Sequence, residues 1–242
     1  MLDDFEVLIL CGGEGRRLRS MISDVPKPMA PIGDKPFLYH LVKNITQQGF
    51  HDFCLLTGYK TEHISDYFQN NFKNLNIRFS VEDVPLGTGG AIFKAAKTSP
   101  FKKFLVLNGD TFFNIDLKKF IQNWKVGTLK IALKYTDNAL RYGVVEVDAQ
   151  GKVISFLEKG ASGSHNTKNL INGGIYILDA SLLEGNAEDD KFISLENDVF
   201  PKLLKEGKIF SSPFEDEFID IGVPEDYIRA SLLIEQWASK VR

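Results

Sequence analysis

The chain has 242 residues, 43% of them hydrophobic and 25% charged, and its formal net charge is −3. This length supports one well-packed core, whereas the slightly acidic balance gives no electrostatic attraction to nucleic acid or to an anionic membrane. No apolar run approaches the ~20 residues of a membrane helix, and the first residues lack the basic and then apolar pattern of a signal peptide. We therefore expect a cytoplasmic globular protein with no nucleic-acid or membrane partner, and the sequence leaves a homo-oligomer open.

Strands and helices alternate through the first half of the chain. In chain order the apolar pattern predicts strands at 7–10, 53–57, 77–81 and 103–107, and helices at 37–48, 63–72 and 91–97. Gly89 and Gly90 are expected to open the last of these helices. A βαβα alternation of this kind predicts an α/β fold with a mostly parallel sheet and helices on both faces.

The second half has a different character, with more strands in succession. Strands are predicted at 129–135, 143–147, 152–157 and 175–178, with a glycine-containing turn at 148–151. Helices are predicted at 194–205 and 224–241, and Pro224 suits the first turn of the second one. Because the chain contains no internal repeat, low-complexity tract or linker, we expect a single domain over 1–242.

Both cysteines of the chain, Cys11 and Cys54, fall in apolar, strand-like runs. Such positions fit reduced, buried thiols in a cytosolic protein better than a disulfide.

The most informative stretch joins the first predicted strand to a glycine-rich loop and a basic segment. Glycines allow backbone N–H groups to approach a ligand closely, and arginine and lysine supply positive charge for phosphate oxygens. The pattern is not a P-loop, since no Gly-Lys-Ser/Thr follows, and its Gly-Gly-x-Gly spacing does not match a dinucleotide fingerprint. A plain structural turn is the alternative to a phosphate-binding loop. The residues in question are Leu10, Gly12, Gly13, Gly15, Arg16, Arg17 and Lys27.

This stretch resembles the N-terminal signature of the sugar-1-phosphate nucleotidyltransferases, in its run from Leu10 to Leu18 and in Pro26-Lys27-Pro28. Two departures are visible: Cys11 replaces the usual alanine, and Arg16 replaces the usual threonine. The resemblance covers nearly the whole chain. It implies the nucleotide-diphospho-sugar transferase fold, a Rossmann-like mixed, mostly parallel sheet with helices on both faces and a smaller sugar-binding β subregion. The nucleotide-binding part would then span about 1–115 and the sugar-binding and C-terminal part about 116–242.

Two carboxylates directly follow apolar strands or strand-like runs. Asp110 follows Leu107-Asn108-Gly109, and Asp220 lies in Phe218-Ile219-Asp220-Ile221-Gly222. Mg²⁺ prefers oxygen ligands and typically takes one or two carboxylates plus substrate phosphates, although aspartate also commonly caps turns and helices. The resemblance implies that Asp110 and Asp220 are catalytic and hold the cofactor, Mg²⁺.

A second glycine-rich loop, at 85–91, contains Gly87 and Thr88. In similar proteins this loop lies against the nucleobase; the alternative is a helix entry that binds no ligand. Glu82, just upstream, has the acceptor chemistry to take hydrogen bonds from the N1–H and N2 edge of guanine, and it could equally be a solvated strand residue. The resemblance thus implies a nucleotide site formed by Leu10, Gly12, Gly13, Gly15, Arg16, Glu82, Gly87 and Thr88.

A third group of residues resembles the family's sugar-binding elements. Lys159 would hold the sugar 1-phosphate and Glu158 would accept from sugar hydroxyls, although a Glu-Lys pair alone is an ordinary surface feature. The other sugar-site residues implied by the resemblance are Asn108, Gly143, Asn172 and Gly173.

These elements together imply transfer of a nucleotidyl group from a nucleoside triphosphate to a sugar 1-phosphate, with release of pyrophosphate. Arg17, Lys27 and Lys159 would neutralise and position the reacting phosphates. The segments 24–32, 194–198 and 218–227 look closest to the bacterial D-glycero-α-D-manno-heptose-1-phosphate guanylyltransferases, which use GTP. The alternatives are an enzyme for mannose or glucose 1-phosphate with another triphosphate, and a catalytically silent nucleotide-sugar-binding paralogue.

Overall fold

The computed structural model describes residues 2–13, 15, 18, 22, 25–137, 142–157, 169–183 and 191–238. Within these ranges the chain forms a mixed nine-stranded sheet and two small two-stranded sheets. The strands are β1 (Phe5–Leu10), β2 (Pro31–Ile32), β3 (Lys35–Pro36), β4 (Asp52–Thr57), β5 (Asn76–Val81), β6 (Lys103–Asn108), β7 (Thr111–Phe113), β8 (Leu129–Thr136), β9 (Val144–Val147), β10 (Val153–Leu157), β11 (Asn169–Asp179), β12 (Ile209–Phe214) and β13 (Phe218–Asp220). The α-helices are α1 (Phe37–Gln47), α2 (Thr61–Asn71), α3 (Gly87–Lys97), α4 (Leu117–Ile121), α5 (Phe200–Lys205) and α6 (Pro224–Ala238).

The large sheet is parallel in its first half and mixed in its second. Strands β5, β4, β1 and β6 are parallel neighbours in that order. Strand β11 pairs antiparallel with β6 and β9 along one edge and with β8 along the other, and β12 extends the sheet as the parallel neighbour of β8. The predicted α/β class and mostly parallel sheet are therefore confirmed.

Alternating burial along β1 explains why helices cover both faces. Phe5, Val7 and Ile9 point into one apolar core, whereas Leu8 points into the other, because successive side chains of a strand face opposite sides. The first core contains apolar residues of α1, α2 and α6, and the second contains those of α3 and α5. Helices on both faces are thus also confirmed.

Helix α3 begins earlier than the sequence predicts, at Gly87 instead of residue 91. Its first turn packs against the backbone of Ile193, whose carbonyl oxygen accepts the N–H groups of Gly89 and Gly90 at 2.8 and 3.1 Å. A Cβ at Gly89 would lie 2.9 Å from the Ile193 side chain, so glycine permits this close approach. The contact is made by residues a hundred positions apart, and it overrides the low helix propensity of glycine.

Strand β11 is much longer than the predicted strand at 175–178, since it begins at Asn169. Gly173 and Gly174 lie inside it, where the pairing with β8 shifts register between Asn172 and Tyr176. Glycine within a strand often marks such an irregularity, and it hid the first half of the strand from the sequence pattern.

The segment 194–205, predicted as one helix, is a π-helical turn at Leu195–Val199 followed by α5. Ser194 caps it by accepting the Asn197 N–H. The short elements β2, β3, β7, α4, β12 and β13 were not predicted. Both cysteines are free and buried, as expected, and no helix among the described residues is long and apolar enough to cross a membrane.

Candidate active site

A cavity of about 320 Å³ opens beyond the carboxyl ends of β1 and β6. In open α/β sheets, this edge is where ligands bind. Nine of the residues singled out from the sequence line it: Leu10, Gly12, Gly13, Lys27, Glu82, Gly87, Thr88, Asn108 and Asp110. The two glycine-rich loops, separated by more than 70 residues, therefore face one space.

The glycines of the first loop bring Lys27 to the cavity. Gly15 has φ +61°, which favours glycine, and a Cβ there would lie 2.7 Å from the Lys27 side chain. Lys27 begins a short 3₁₀ helix that also contains Pro28 and Met29. The loop and the lysine are thus packed together, and the Lys27 side chain is only 10% exposed.

Lys27 lies between the two predicted metal carboxylates. Its Nζ is 2.5 Å from Asp110 Oδ2 and 3.8 Å from Asp220 Oδ1. Lys27 thus contacts both carboxylates, and Lys27 and Asp110 line the cavity.

Pairing of β7 with β13 brings the two aspartates together. In this antiparallel pair Asp220 is opposite Thr111, and the Ile221 N–H donates to the carbonyl of Asp110 at 3.0 Å. The Gly222 N–H donates to Asp220 Oδ1 at 2.7 Å, which fixes the orientation of that carboxylate. The two side chains are held by backbone contacts and not only by their shared lysine.

The two carboxylates fit a Mg²⁺ ion whose remaining ligands come from the substrate and water. Mg²⁺ commonly takes one or two protein carboxylates together with substrate phosphates and water. No group of three or more His, Cys, Asp or Glu side chains suited to a metal occurs among the described residues, so the two aspartates do not form a cage that would exclude substrate oxygens.

Glu82 lies between the two glycine loops. Its Oε2 accepts the Leu86 N–H at 2.8 Å, and a Cβ at Gly12 would lie 3.2 Å from its Oε1. Burial raises the pKa of the carboxyl group, and the bond from Leu86 partly opposes that shift. Glu82 is thus a half-buried acceptor in the cavity wall and not a solvated strand residue.

The second loop is braced by a segment that the sequence analysis did not connect with the site. Thr88 Oγ1 accepts the Leu195 N–H at 2.8 Å and donates to Glu196 Oε2 at 3.1 Å. Phe192 and Glu196 line the cavity, and the Phe192 side chain is largely exposed. Glu196 lies in the segment 194–198 noted for its resemblance, whereas Phe192 carries no signal in the sequence and reaches the cavity through the packing of Ile193 on α3.

Two of the predicted sugar-site residues converge on a buried tyrosine. Asn172 Nδ2 donates to the Tyr176 hydroxyl at 2.9 Å, and Asn108 also hydrogen-bonds the Tyr176 side chain. Tyr176 is fully buried, and burial raises the pKa of its hydroxyl. This tyrosine was not predicted, and it links the end of β6 to β11.

Three of the predicted sugar-site residues, Asn172, Gly173 and Gly143, do not line the cavity. A Cβ at Gly173 would lie 2.5 Å from the Phe113 ring, so glycine there allows β7 to pack on β11. Gly143 follows Tyr142, whose ring makes an edge contact with Phe218 of β13. Four further predicted residues, Arg16, Arg17, Glu158 and Lys159, lie outside the described residues.

The chain is similar to characterised bacterial enzymes over nearly its full length. It is 46% identical over 222 residues to the D-glycero-alpha-D-manno-heptose 1-phosphate guanylyltransferase of Campylobacter jejuni, with 92% of this chain and 96% of that protein covered. It is 40% identical to the protein of the same name from Aneurinibacillus thermoaerophilus, with 96% and 99% covered.

The fold is similar to a solved structure as well. The crystal structure of HddC from Yersinia pseudotuberculosis matches with a TM-score of 0.83 and 39% identity, covering 94% of this chain and 98% of that one. A second structure of HddC is a complex with GMP-PN. The nucleotidyl transferase family model matches residues 6–236, and the chain belongs to that family.

Proposed function

We propose that this protein transfers GMP from GTP to D-glycero-α-D-manno-heptose 1-phosphate, giving GDP-heptose and pyrophosphate. Two relatives that carry the name of this activity, at 46% and 40% identity over nearly the full length, support the choice of substrates. The GMP-PN complex of HddC supports guanine as the base. The buried, reduced thiols of Cys11 and Cys54 are compatible with a cytoplasmic enzyme.

The observation that carries the proposal is the position of Lys27 between Asp110 and Asp220, beside the first glycine loop. Nucleotidyl transfer brings two anions together, since a phosphate oxygen attacks the α-phosphorus of a triphosphate. Catalysis of this step is mainly positioning and charge neutralisation. Positioning and charge neutralisation are both supplied here, by a lysine, two carboxylates and the N–H groups of the glycine loop.

Asp110 and Asp220 are the residues that would hold Mg²⁺. When bound there, the ion supplies Lewis-acid polarisation of phosphate oxygens. The position of both carboxylates beside Lys27, and the orientation of Asp220 by the Gly222 N–H, support this role.

The remaining roles belong to the chain's own side chains. Lys27 adds positive charge at the reacting phosphates, and the N–H groups of Gly12 and Gly13 approach the triphosphate closely. By family resemblance, Arg17 stabilises the departing pyrophosphate, with Arg16 beside it, and Lys159 fixes the sugar phosphate while Glu158 accepts from sugar hydroxyls. No general base is needed, because a phosphate monoester is already largely dianionic near neutral pH.

The base and the sugar are assigned to the two sides of the cavity. Glu82, Gly87 and Thr88 form the side that would bind guanine, with a carboxylate acceptor that suits the N1–H and N2 donors. Asn108 lines the side that would bind the heptose and, with Asn172, hydrogen-bonds the buried Tyr176; Gly143 and Gly173 are assigned to the sugar by family resemblance.

The test is pyrophosphate release from purified protein with Mg²⁺, a panel of triphosphates and a panel of sugar 1-phosphates. We expect turnover with GTP and D-glycero-α-D-manno-heptose 1-phosphate to exceed turnover with UTP, CTP, dTTP or ATP and with mannose or glucose 1-phosphate. Faster turnover with another pair would retain the family reaction and overturn these substrates. Binding of GTP without turnover on any sugar phosphate would instead favour a silent nucleotide-sugar-binding protein.

A further inference from the structure

A second cavity, of about 550 Å³, shares no lining residue with the candidate active site. We name it the lysine cavity, after Lys119, Lys125 and Lys130, which line it together with Trp124, Phe210 and Ser212. It lies between α4, the loop that follows α4, and the edge strand β12. A volume of this size is typical of small-molecule sites.

The lysine cavity lies at the opposite end of the sheet from the active site. The Trp124 ring packs against Phe5, the first residue of β1, with ring centroids 5.8 Å apart. The active-site cavity begins at Leu10, the last residue of the same strand. At ~3.3 Å per residue, the two ends of β1 are roughly 16 Å apart, so one small ligand does not reach both cavities.

The charge of the lysine cavity is of one sign. None of its described lining residues is acidic. Neither Lys119 nor Lys125, both exposed, forms an ion pair with a described residue. Three lysines for which the described residues supply no carboxylate partner therefore line a concave space, and a field of this sign attracts anions.

Lys130 provides the second, independent observation. Its side chain is buried, with 7% of the residue exposed, and its Nζ donates to the carbonyls of Phe120 and Gln122 at 2.7 and 2.8 Å. An ammonium group has three protons, so these bonds to the end of α4 leave one donor. Burying a charged group without a counter-ion is costly, and an anion in the cavity would offset that cost. Burial also lowers the pKa of this lysine.

The cavity also offers contacts for the non-phosphate part of a ligand. The Trp124 ring is half-buried and its Nε1 donates to the Thr128 carbonyl, which holds the indole in place. Ser212 is half-buried on β12 and its hydroxyl has no partner among the described residues. Planar or apolar groups stack favourably on indole, and a free hydroxyl suits a polar substituent.

We propose that the lysine cavity is a second ligand site of this protein, and that it binds a phosphorylated small molecule. The phosphate or diphosphate group contacts Lys119, Lys125 and Lys130, and the organic part lies against Trp124. This proposal does not depend on which substrates the active site uses.

The test uses Trp124 itself as a reporter. The chain has two tryptophans, so in the Trp237→Phe variant the emission reports on Trp124 alone. Inorganic pyrophosphate and GDP are titrated at constant ionic strength, without divalent metal. We expect a saturable change in emission with both, at lower concentration with GDP because its base adds contact with the indole.

Charge placement is tested with two double variants in that background. Lys119→Ala with Lys125→Ala should weaken binding of both probes by about tenfold or more, as expected for lost charge-assisted hydrogen bonds. Lys102→Ala with Lys118→Ala removes the same charge from exposed positions outside the cavity and should leave binding unchanged. All four lysines are exposed, whereas the buried Lys130 donates to carbonyls at the end of α4, so its replacement is not the deciding variant.

The absence of a saturable change up to millimolar probe would overturn the site. An equal loss of affinity in both double variants would also overturn it, since the effect would then be general attraction by surface charge. Equal affinity for pyrophosphate and GDP would overturn the role of Trp124, and an inorganic anion would be the ligand.

Discussion

Asp110 and Asp220 are the two residues whose geometry depends most on each other. They contact the same lysine although they are far apart in the sequence. We expect Asp110→Asn and Asp220→Asn each to lower turnover by about a hundredfold or more, the usual effect of removing one electrostatic group from such a site. Asparagine retains the shape, so the loss reports on charge. Pyrophosphate release across a range of Mg²⁺ concentrations measures it.

Asp34→Asn is the matched control for this pair. Asp34 is 80% exposed and contacts only the neighbouring Lys35 among the ion pairs given by the structure, so its replacement should leave turnover unchanged. If either active-site variant kept the wild-type rate at saturating Mg²⁺, its proposed role in holding the metal would be wrong.

Glu82 links residue chemistry to pH. Burial raises the pKa of its carboxyl group, so it takes up a proton at higher pH than an exposed glutamate does. A protonated carboxyl is a poorer acceptor for guanine N1–H and N2. GTP affinity should therefore fall as the pH decreases through this raised pKa, and it should have its full value at pH values above it.

Glu82→Gln isolates that effect, since it removes the titration and retains the shape. We expect it to lower the preference for GTP over ATP by about tenfold or more, the value of one charge-assisted hydrogen bond, and to abolish the step in the pH profile. Nucleotide titrations at several pH values measure both. An unchanged GTP/ATP ratio would assign base recognition to the backbone of the Gly87-Thr88 loop instead.

At the scale of elements, the first turn of α3 packs directly against the segment 191–193. Gly87 has φ +73°, and a Cβ there would lie 2.5 Å from the Ile193 carbonyl oxygen. Gly87→Ala should therefore destabilise the protein twice, by about 1–2 kcal/mol for the left-handed backbone and by about 1–3 kcal/mol for the overlap. Thermal unfolding measures the sum, since 1 kcal/mol corresponds to about 2–4 °C in a chain of this size.

Gly127→Ala is the matched control, because Gly127 has φ +80° and open space around its Cβ position. Gly127→Ala should lower the stability only by the contribution of the left-handed backbone. Equal decreases in unfolding temperature for the two variants would show that the contact with Ile193 does not require glycine at position 87.

Elements with a repeating local pattern could be predicted from the sequence, and those held by distant pairing could not. The core-facing residues of α1 and the apolar run of β4 recur with a fixed period, and both elements were found within one residue or so. Strands β7 and β13 have only three residues each and exist because they pair with one another. A period cannot be detected in three residues, yet this pair is what brings the two aspartates together.

The candidate site shows the same division. Glycines, lysines and aspartates could be singled out where several of them occur close together, because such clusters are unusual in a sequence. Phe192, Glu196 and Tyr176 could not, since an aromatic or acidic residue alone carries no signal. Their roles come from contacts between distant parts of the chain, such as the hydrogen bonds of Tyr176 with Asn172 and of Glu196 with Thr88.

At the scale of the whole molecule, the two parts predicted at 1–115 and 116–242 share one sheet. Strand β6, from the first part, is flanked by β1 of the same part and by β11 of the second. The apolar core on one face contains residues from both parts, such as Phe37 of α1 and Ile234 of α6. Each of the two apolar cores contains residues from both parts, so neither part has a core of its own.

We therefore expect one cooperative unfolding transition. Trp124 contacts Phe5 of β1 and Trp237 contacts Phe112 of β7, so the two indoles report on two regions of one apolar core. Urea transitions followed by tryptophan emission, in single-tryptophan variants, should coincide with each other and with circular dichroism. A fragment of residues 1–115 should not fold alone, because an unpaired β6 and a half-covered core would be exposed to solvent. Two separate transitions, or a folded fragment, would instead divide the chain into independent nucleotide-binding and sugar-binding domains, and the active-site cavity would then lie on a joint between them.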